Sequence, residues 1–274
     1  MKIALLLSGQ PRLYEEVFPH IKKHILDVYD CDVYAHAWWD EAESHDVVHR
    51  SPWSQSYKFD VDKQFPIKFN NLYNPKKFQI DKPLFDSTED SQNIFIESLK
   101  KLYPTTNGCE VFYEDKSMLG PIHKFISIEK VFNMVNWDEN YDWIVFWRYD
   151  LQPDVFPDLT ILNEEVLYAY TDYWCSWCDR DDRAWPDNHG FIDTGFILHP
   201  NCKHALNIKN FYFDECMKNN LLCSESHKWK HKPIPETVWS LNVWYNKIKT
   251  VMLPSKDFSA SLIRRIDEYG DLRP

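Results

Sequence analysis

The sequence predicts an α/β protein: a mixed, mostly parallel central sheet flanked by helices, in a single domain over residues 1–274. Three observations predict it. First, the apolar run Met1 to Leu7 ends in Ser8-Gly9-Gln10-Pro11-Arg12, and helical periodicity and a second run, Cys31 to His36, follow. A strand–helix–strand order with short connections favours parallel pairing. Second, Trp143 to Trp147 is a short continuous apolar run stopped by Arg148-Tyr149-Asp150, as expected of a buried strand. Third, 44% hydrophobic and 16% aromatic residues can build a substantial core.

Each element follows from local pattern. Leu13 to Tyr29 reads as a helix, because Val17, Ile21, Ile25 and Val28 recur at helical spacing while Lys22, Lys23 and Asp27 can face water. Residues 40–91 are rich in Ser, Pro, Asn, Lys and aromatics, and read as an irregular insertion with short β-like patches packed on the sheet. Gln92 to Leu102 is a short helix, and Glu110 to Glu114 a candidate strand. Ile122 to Val135 carries a broad apolar helical face. Val166 to Tyr170 and Gly190 to His199 read as strands, separated by a polar, Trp-rich loop from Tyr173 to His189. Ala205 to Lys218 and Pro235 to Ile248 read as helices, the second with Pro early and Glu236 in its first turn. Thr250 to Leu253 is a last short strand.

Composition narrows the function. With only 6 Gly, neither a dinucleotide fingerprint nor a P-loop is present. A net charge of −11 argues against a nucleic-acid groove or an anionic membrane surface, both of which want clustered positive charge. No run approaches the ~18 apolar residues of a membrane span. The 7 Cys are odd in number and no signal peptide is visible, so a reducing, cytoplasmic compartment is expected.

Several short motifs can carry chemistry. In Ser8-Gly9-Gln10-Pro11-Arg12, Gly9 permits close backbone approach, Gln10 can read a base edge or ribose, and Arg12 can fork onto phosphate oxygens. The bland reading is an ordinary turn with a surface arginine. Asp150, at a strand end after Arg148, can hold a hard divalent cation completed by phosphates and waters, or simply cap the next turn. Asp193, with Gly195, interrupts the apolar strand Phe191 to Leu198, where Gly marks close approach of a ligand or backbone. Asp193 can bind a sugar hydroxyl, act as general base, or cap a bend. Glu236 can complement its helix dipole or reach into the site as a second carboxylate. Cys175-Ser-Trp-Cys178 has half a zinc-knuckle spacing with no second pair, so packing is preferred there. Trp174, Trp177 and Trp185 suit stacking on a sugar ring, or packing. Arg264 and Arg265 can close over a diphosphate, or be surface charges on a terminal helix.

In this order the pieces resemble a family. Ser-Gly-Gln-Pro-Arg, Asp-Val-Tyr-Ala-His-Ala-Trp-Trp, Tyr-Asp-Trp-Ile-Val-Phe-Trp-Arg-Tyr-Asp-Leu, Asp-Thr-Gly-Phe-Ile-Leu and Pro-Glu-Thr-Val-Trp resemble glycosyltransferase-like proteins of large DNA viruses and bacterial polysaccharide clusters. The resemblance implies a GT-A-like (Rossmann-like) fold and a nucleotide-sugar donor, commonly a UDP-sugar. In that fold an Asp-x-Asp triplet ends a central strand and binds Mn²⁺ or Mg²⁺. The matching triplet here is Arg148-Tyr149-Asp150, with Arg in place of the first Asp, so Asp150 is the expected metal ligand.

The expected activity is transfer of a sugar from a nucleoside-diphosphate donor to a glycan hydroxyl. Ser8, Gly9, Gln10, Arg12, Arg148 and Arg265 would hold the donor, and Asp193 or Glu236 would orient or deprotonate the acceptor. Two rivals come from other classes. A noncatalytic carbohydrate-binding protein on the same scaffold predicts glycan binding that ignores nucleotide and metal. A structural protein predicts no small ligand at all.

Overall fold

The computed structural model describes residues 1–41, 47–49, 57–59, 62–85, 88–104, 119–162, 166–170, 195–218 and 235–262, with the backbone alone at 47–49, 57–59, 235–237, 240, 244, 252 and 262. A seven-stranded sheet runs through the centre in the order β10-β8-β9-β6-β1-β2-β5. Its strands are β1 (Lys2–Gly9), β2 (Asp30–Trp38), β5 (Lys77–Asp81), β6 (Trp143–Arg148), β8 (Leu167–Tyr170), β9 (Gly195–Leu198) and β10 (Thr250–Leu253). β9 is antiparallel to both neighbours, and the other pairs are parallel. The expected mixed, mostly parallel sheet is therefore present. Two small ribbons accompany it: β3 (Val47–His49) with β4 (Tyr57–Phe59), and β7 (Leu151–Val155) with β11 (Ser259–Leu262).

Alternating strand residues feed two cores. On one face, Leu6, Tyr34, Phe146 and Phe196 pack with Phe125 and Val131 of α4 (Leu119–Met134) and Trp239 of α6 (Pro235–Tyr245). On the other, Leu5, Ala35, Val145 and Ile197 pack with Val17 and Ile21 of α1 (Tyr14–Ile21) and Phe65 and Phe69 of α2 (Phe65–Tyr73). The central strands read as continuous apolar runs because both of their faces are covered.

The largest difference from expectation lies in residues 40–91. That stretch holds helix α2, which packs on one face of the sheet, and strand β5, which extends the sheet past β2. α2 buries Phe65, Phe69 and Tyr73, one per turn, but its Pro66 and paired Asn residues mask the pattern. β5 is a partly exposed edge strand, Lys-Phe-Gln-Ile-Asp, with no apolar run to announce it. The Pro-containing β7 was also not expected; Pro153 is tolerated because the ribbon is not central.

Smaller differences concern element ends. β1 continues through Ser8 and Gly9, which were expected in the turn. The first helix begins at Tyr14, contains Pro19, and widens to a π-helical turn over Lys22–Leu26. α3 (Glu89–Leu102) starts earlier than expected, capped by Thr88, whose side chain accepts from the Ser91 amide. The helix expected over 205–218 is a 3₁₀ segment, Pro200–Leu206, then α5 (Ile208–Asn210), continuing as π-helix Phe211–Lys218. The expected strand at 110–114, the Trp-rich loop and residues 190–194 lie outside the described residues.

Candidate functional site at the carboxyl ends of the central strands

The chain leaves β1 for β2 and β5 on one side, then returns to β6 on the other. The order reverses between β1 and β6, and ligands of open α/β sheets bind outside the strand carboxyl ends at such a reversal. Ser8 pairs with Arg148 on β6 and with His36 on β2, and His36 pairs with Gln79 on β5. Register partners share a face, so Arg148, Ser8, His36 and Gln79 form a polar row. Two residues earlier, Phe146, Leu6 and Tyr34 are fully buried. The sheet changes from apolar to polar at its carboxyl edge.

At this edge the Ser8–Arg12 turn lies beside the Arg148–Asp150 corner. Gly9 has φ of 117°, which strains any residue with a side chain, and the space where a Cβ would stand is open. Leu13, at φ 51°, is also left-handed, so the turn is bracketed by two unusual backbone conformations. Within it, Arg12 donates through Nη2 to the Gln10 side-chain oxygen, and its amide donates to the Gln10 carbonyl at 2.8 Å. Gln10 therefore orients Arg12 in this arrangement.

Arg148 is oriented in a similar way. Its Nε donates to Asp150 Oδ1 at 2.8 Å and its Nη2 to Oδ2 at 2.7 Å, a bidentate fork. Asp150 is buried (8% exposed), and Arg148 is partly exposed. Between them Tyr149 turns to the opposite face, where its hydroxyl donates to the His36 carbonyl at 3.1 Å and its ring packs on Phe65 and Phe69. The unexpected helix α2 thus supports the corner from below.

Both Asp150 oxygens accept from one guanidinium, and no group of three or more His, Cys, Asp or Glu side chains suited to a metal occurs among the described residues. A divalent cation at Asp150 would have to displace Arg148 or lie against its positive charge. The arrangement does not fit a resident cation as it stands.

The row continues into a buried network that sequence reading did not single out. His36 Nε2 donates to Asp81 Oδ2 at 3.1 Å, so Nδ1 accepts from Ser127 Oγ at 2.7 Å. Lys130 and Gln79 also donate to Asp81 Oδ2, at 2.6 and 2.8 Å. Burial lowers the His36 pKa to about 4 against the upward pull of Asp81. Burial pushes Asp81 up, but Lys130 and His36 outweigh it and leave its pKa lowered. The Ser–His–Asp order is not a nucleophilic triad, because Ser127 and His36 are fully buried inside the fold. It ties α4 to the sheet. Its only sequence trace is a histidine closing an apolar strand.

The remaining expected residues are less fully described. Glu236 lies in the first turn of α6, whose Trp239 packs on Phe146 and Phe196 directly beneath the Arg148 row; the Glu236 side chain is outside the described residues. Asp193, Arg264, Arg265, the Cys175–Cys178 pair and the three loop tryptophans are also outside them. Gly195 is explained without a ligand: a Cβ there would stand 2.7 Å from Trp147 and Leu151 side-chain atoms. A separate cleft of about 590 Å³ lies at the opposite end of the sheet, lined by Met1, Lys23, His24, Asp30 and Asp158 among others. It is remote from the strand carboxyl ends, and Asp158 there is engaged in capping Thr160.

No family model matches the sequence, and no curated protein matches it. Among solved structures the chain is similar to the apo form of the glycosyltransferase GlyE from Streptococcus pneumoniae TIGR4, at 12% identity and a TM-score of 0.37. The alignment covers 92% of this chain and 45% of that one, so the chain spans less than half of that structure. A likeness at this level does not bear on activity. No helix among the described residues is long and apolar enough to cross a membrane.

Proposed function

We propose that the protein is a glycosyltransferase that moves a sugar from a nucleoside-diphosphate donor, UDP-sugar by preference, to a glycan hydroxyl. The observation that carries this reading is the Ser8↔Arg148 register, which sets the Ser8–Arg12 turn beside the Arg148–Asp150 corner at the strand reversal. The resemblance of the sequence motifs to GT-A-type proteins supplies the reaction class.

In this reading the diphosphate lies against the open Gly9 backbone, with Arg12 and Arg148 facing its oxygens. The bond from the sugar C1 to the diphosphate breaks and a bond from C1 to the acceptor oxygen forms. The acceptor proton passes to a carboxylate, Asp193 or Glu236, and the nucleoside diphosphate leaves. Fixed guanidinium donors aimed at the leaving group stabilise its developing charge without reorganisation. Arg265 adds a third positive charge, and Trp174, Trp177 and Trp185 stack on the sugar and exclude water. Mn²⁺ or Mg²⁺ at Asp150 is the competing arrangement for the same leaving-group charge.

The test is release of nucleoside diphosphate from a panel of UDP- and GDP-sugars, with a mixed glycan acceptor pool. Release from one donor, reduced on the order of 100-fold or more in Arg12→Ala and Arg148→Ala, is the expected result. Glycan binding with no nucleotide binding and no release would move the protein to the carbohydrate-binding class.

A further inference from the structure

We infer that Arg148, held by Asp150, takes the place of a divalent cation, so that nucleoside diphosphate binds this site without metal. This inference rests on the donor-site reading above. Its basis is geometric. A guanidinium has five N–H donors in a rigid plane, and the fork onto Asp150 uses two of them, from Nε and Nη2. The fork fixes the plane and leaves the Nη1 edge and one Nη2 hydrogen to be shared among other acceptors. Because Asp150 is buried, the fork has little freedom to rotate, which lowers the ordering cost of a bidentate phosphate contact.

Arg12 repeats the device in the turn after the neighbouring strand. It is oriented by the Gln10 side chain, again from two residues before or after in sequence, and the turn that carries it is bracketed by Gly9 and Leu13 in left-handed conformations. Two arginines, each oriented by a local partner, thus stand at the reversal, Arg148 as the last residue of β6 and Arg12 in the turn that follows β1. A diphosphate meeting both receives the charge compensation that a cation otherwise supplies, with directional donors added. Asp150 is then a positioning residue for Arg148 rather than a ligand.

Calorimetric titration of UDP and GDP into the full chain, in EDTA and in MnCl₂, tests this. Equal affinity in both buffers, weakened about 10-fold or more by Arg148→Ala, is the expected result. Arg148→Lys keeps the charge but loses the fork, and should recover only part of the affinity. Asp150→Asn, which still accepts at one oxygen, should weaken binding equally in EDTA and in MnCl₂. Arg148→Asp should make any residual binding depend on MnCl₂, because two carboxylates would then face the diphosphate. Binding that requires Mn²⁺ in the unaltered protein and is lost in Asp150→Asn overturns the inference while keeping the donor reading. Metal-independent binding that ignores Arg148→Ala also overturns it. No binding of either nucleotide in either buffer overturns both. Circular dichroism of each variant separates loss of binding from loss of fold.

Discussion

Gly195 sits where β9 passes Trp147, with no room for even one added carbon on that side. The Trp147 ring cannot retreat easily, because its Nε1 donates to the Leu151 carbonyl at 2.7 Å. Gly195→Ala should therefore destabilise the fold by about 1–3 kcal/mol through overpacking, read as a lower denaturant midpoint. His36 makes the second residue-scale prediction. It and His123 are kept neutral by burial, each with a pKa lowered to about 4. Unfolded histidines titrate near ~6.5, so between these values the unfolded chain binds more protons. The stability contributed by the neutral rings is full above the upper value and is lost as the pH falls through the lower one. Denaturation measured from pH 7 to 4 should show stability falling by about 1.4 kcal/mol per pH unit for each histidine. His36→Gln should remove roughly half of that slope; an unchanged slope would show that His36 is not one of the two titrating groups.

At the scale of elements, α4 is joined to the sheet by polar as well as apolar contacts. Ser127 bonds His36 on β2, Lys130 bonds Asp81 on β5, and the Trp38 indole donates to the His123 carbonyl at 3.1 Å. Ser127→Ala leaves the His36 acceptor buried without its donor and should cost about 1–3 kcal/mol. A chain of this size should then melt lower by about 2–4 °C per kcal/mol, read by thermal denaturation of the variant beside the unaltered protein. Elements also mark where pattern reading succeeded and failed. β1, β2 and β6 were legible because both faces of each are covered, which writes burial into the sequence as unbroken apolar runs. β5 was not, since an edge strand half open to solvent has no such signature. α2 was hidden because three large apolar residues spaced a turn apart are diluted by Pro66, Asn70 and Asn71.

Across the whole molecule, the candidate site joins segments more than 130 residues apart, Gly9–Leu13 and Arg148–Leu151, through a single strand pair. Binding of UDP should slow amide hydrogen exchange in both segments together. At 100 times the dissociation constant it should add about 2.7 kcal/mol of stability. The cleft lined by Lys23, His24 and Asp158 should show no protection, since it lies at the other end of the sheet. Protection there instead would move the ligand site away from the strand reversal.

The sequence by itself determined the class of fold and the central strands, because burial on two faces demands apolar residues in continuous runs. It also marked the two corners that end β1 and β6, because a turn and a charged stop interrupt those runs. Only the tertiary structure decided that the corners are neighbours, since pairing register is a long-range choice that no local pattern encodes. It likewise decided that Asp150 faces Arg148 with both oxygens. Which partner a buried carboxylate takes depends on where the backbone turns after Tyr149, and that turn is fixed by packing against Phe65 and Phe69 from a helix the sequence left unannounced.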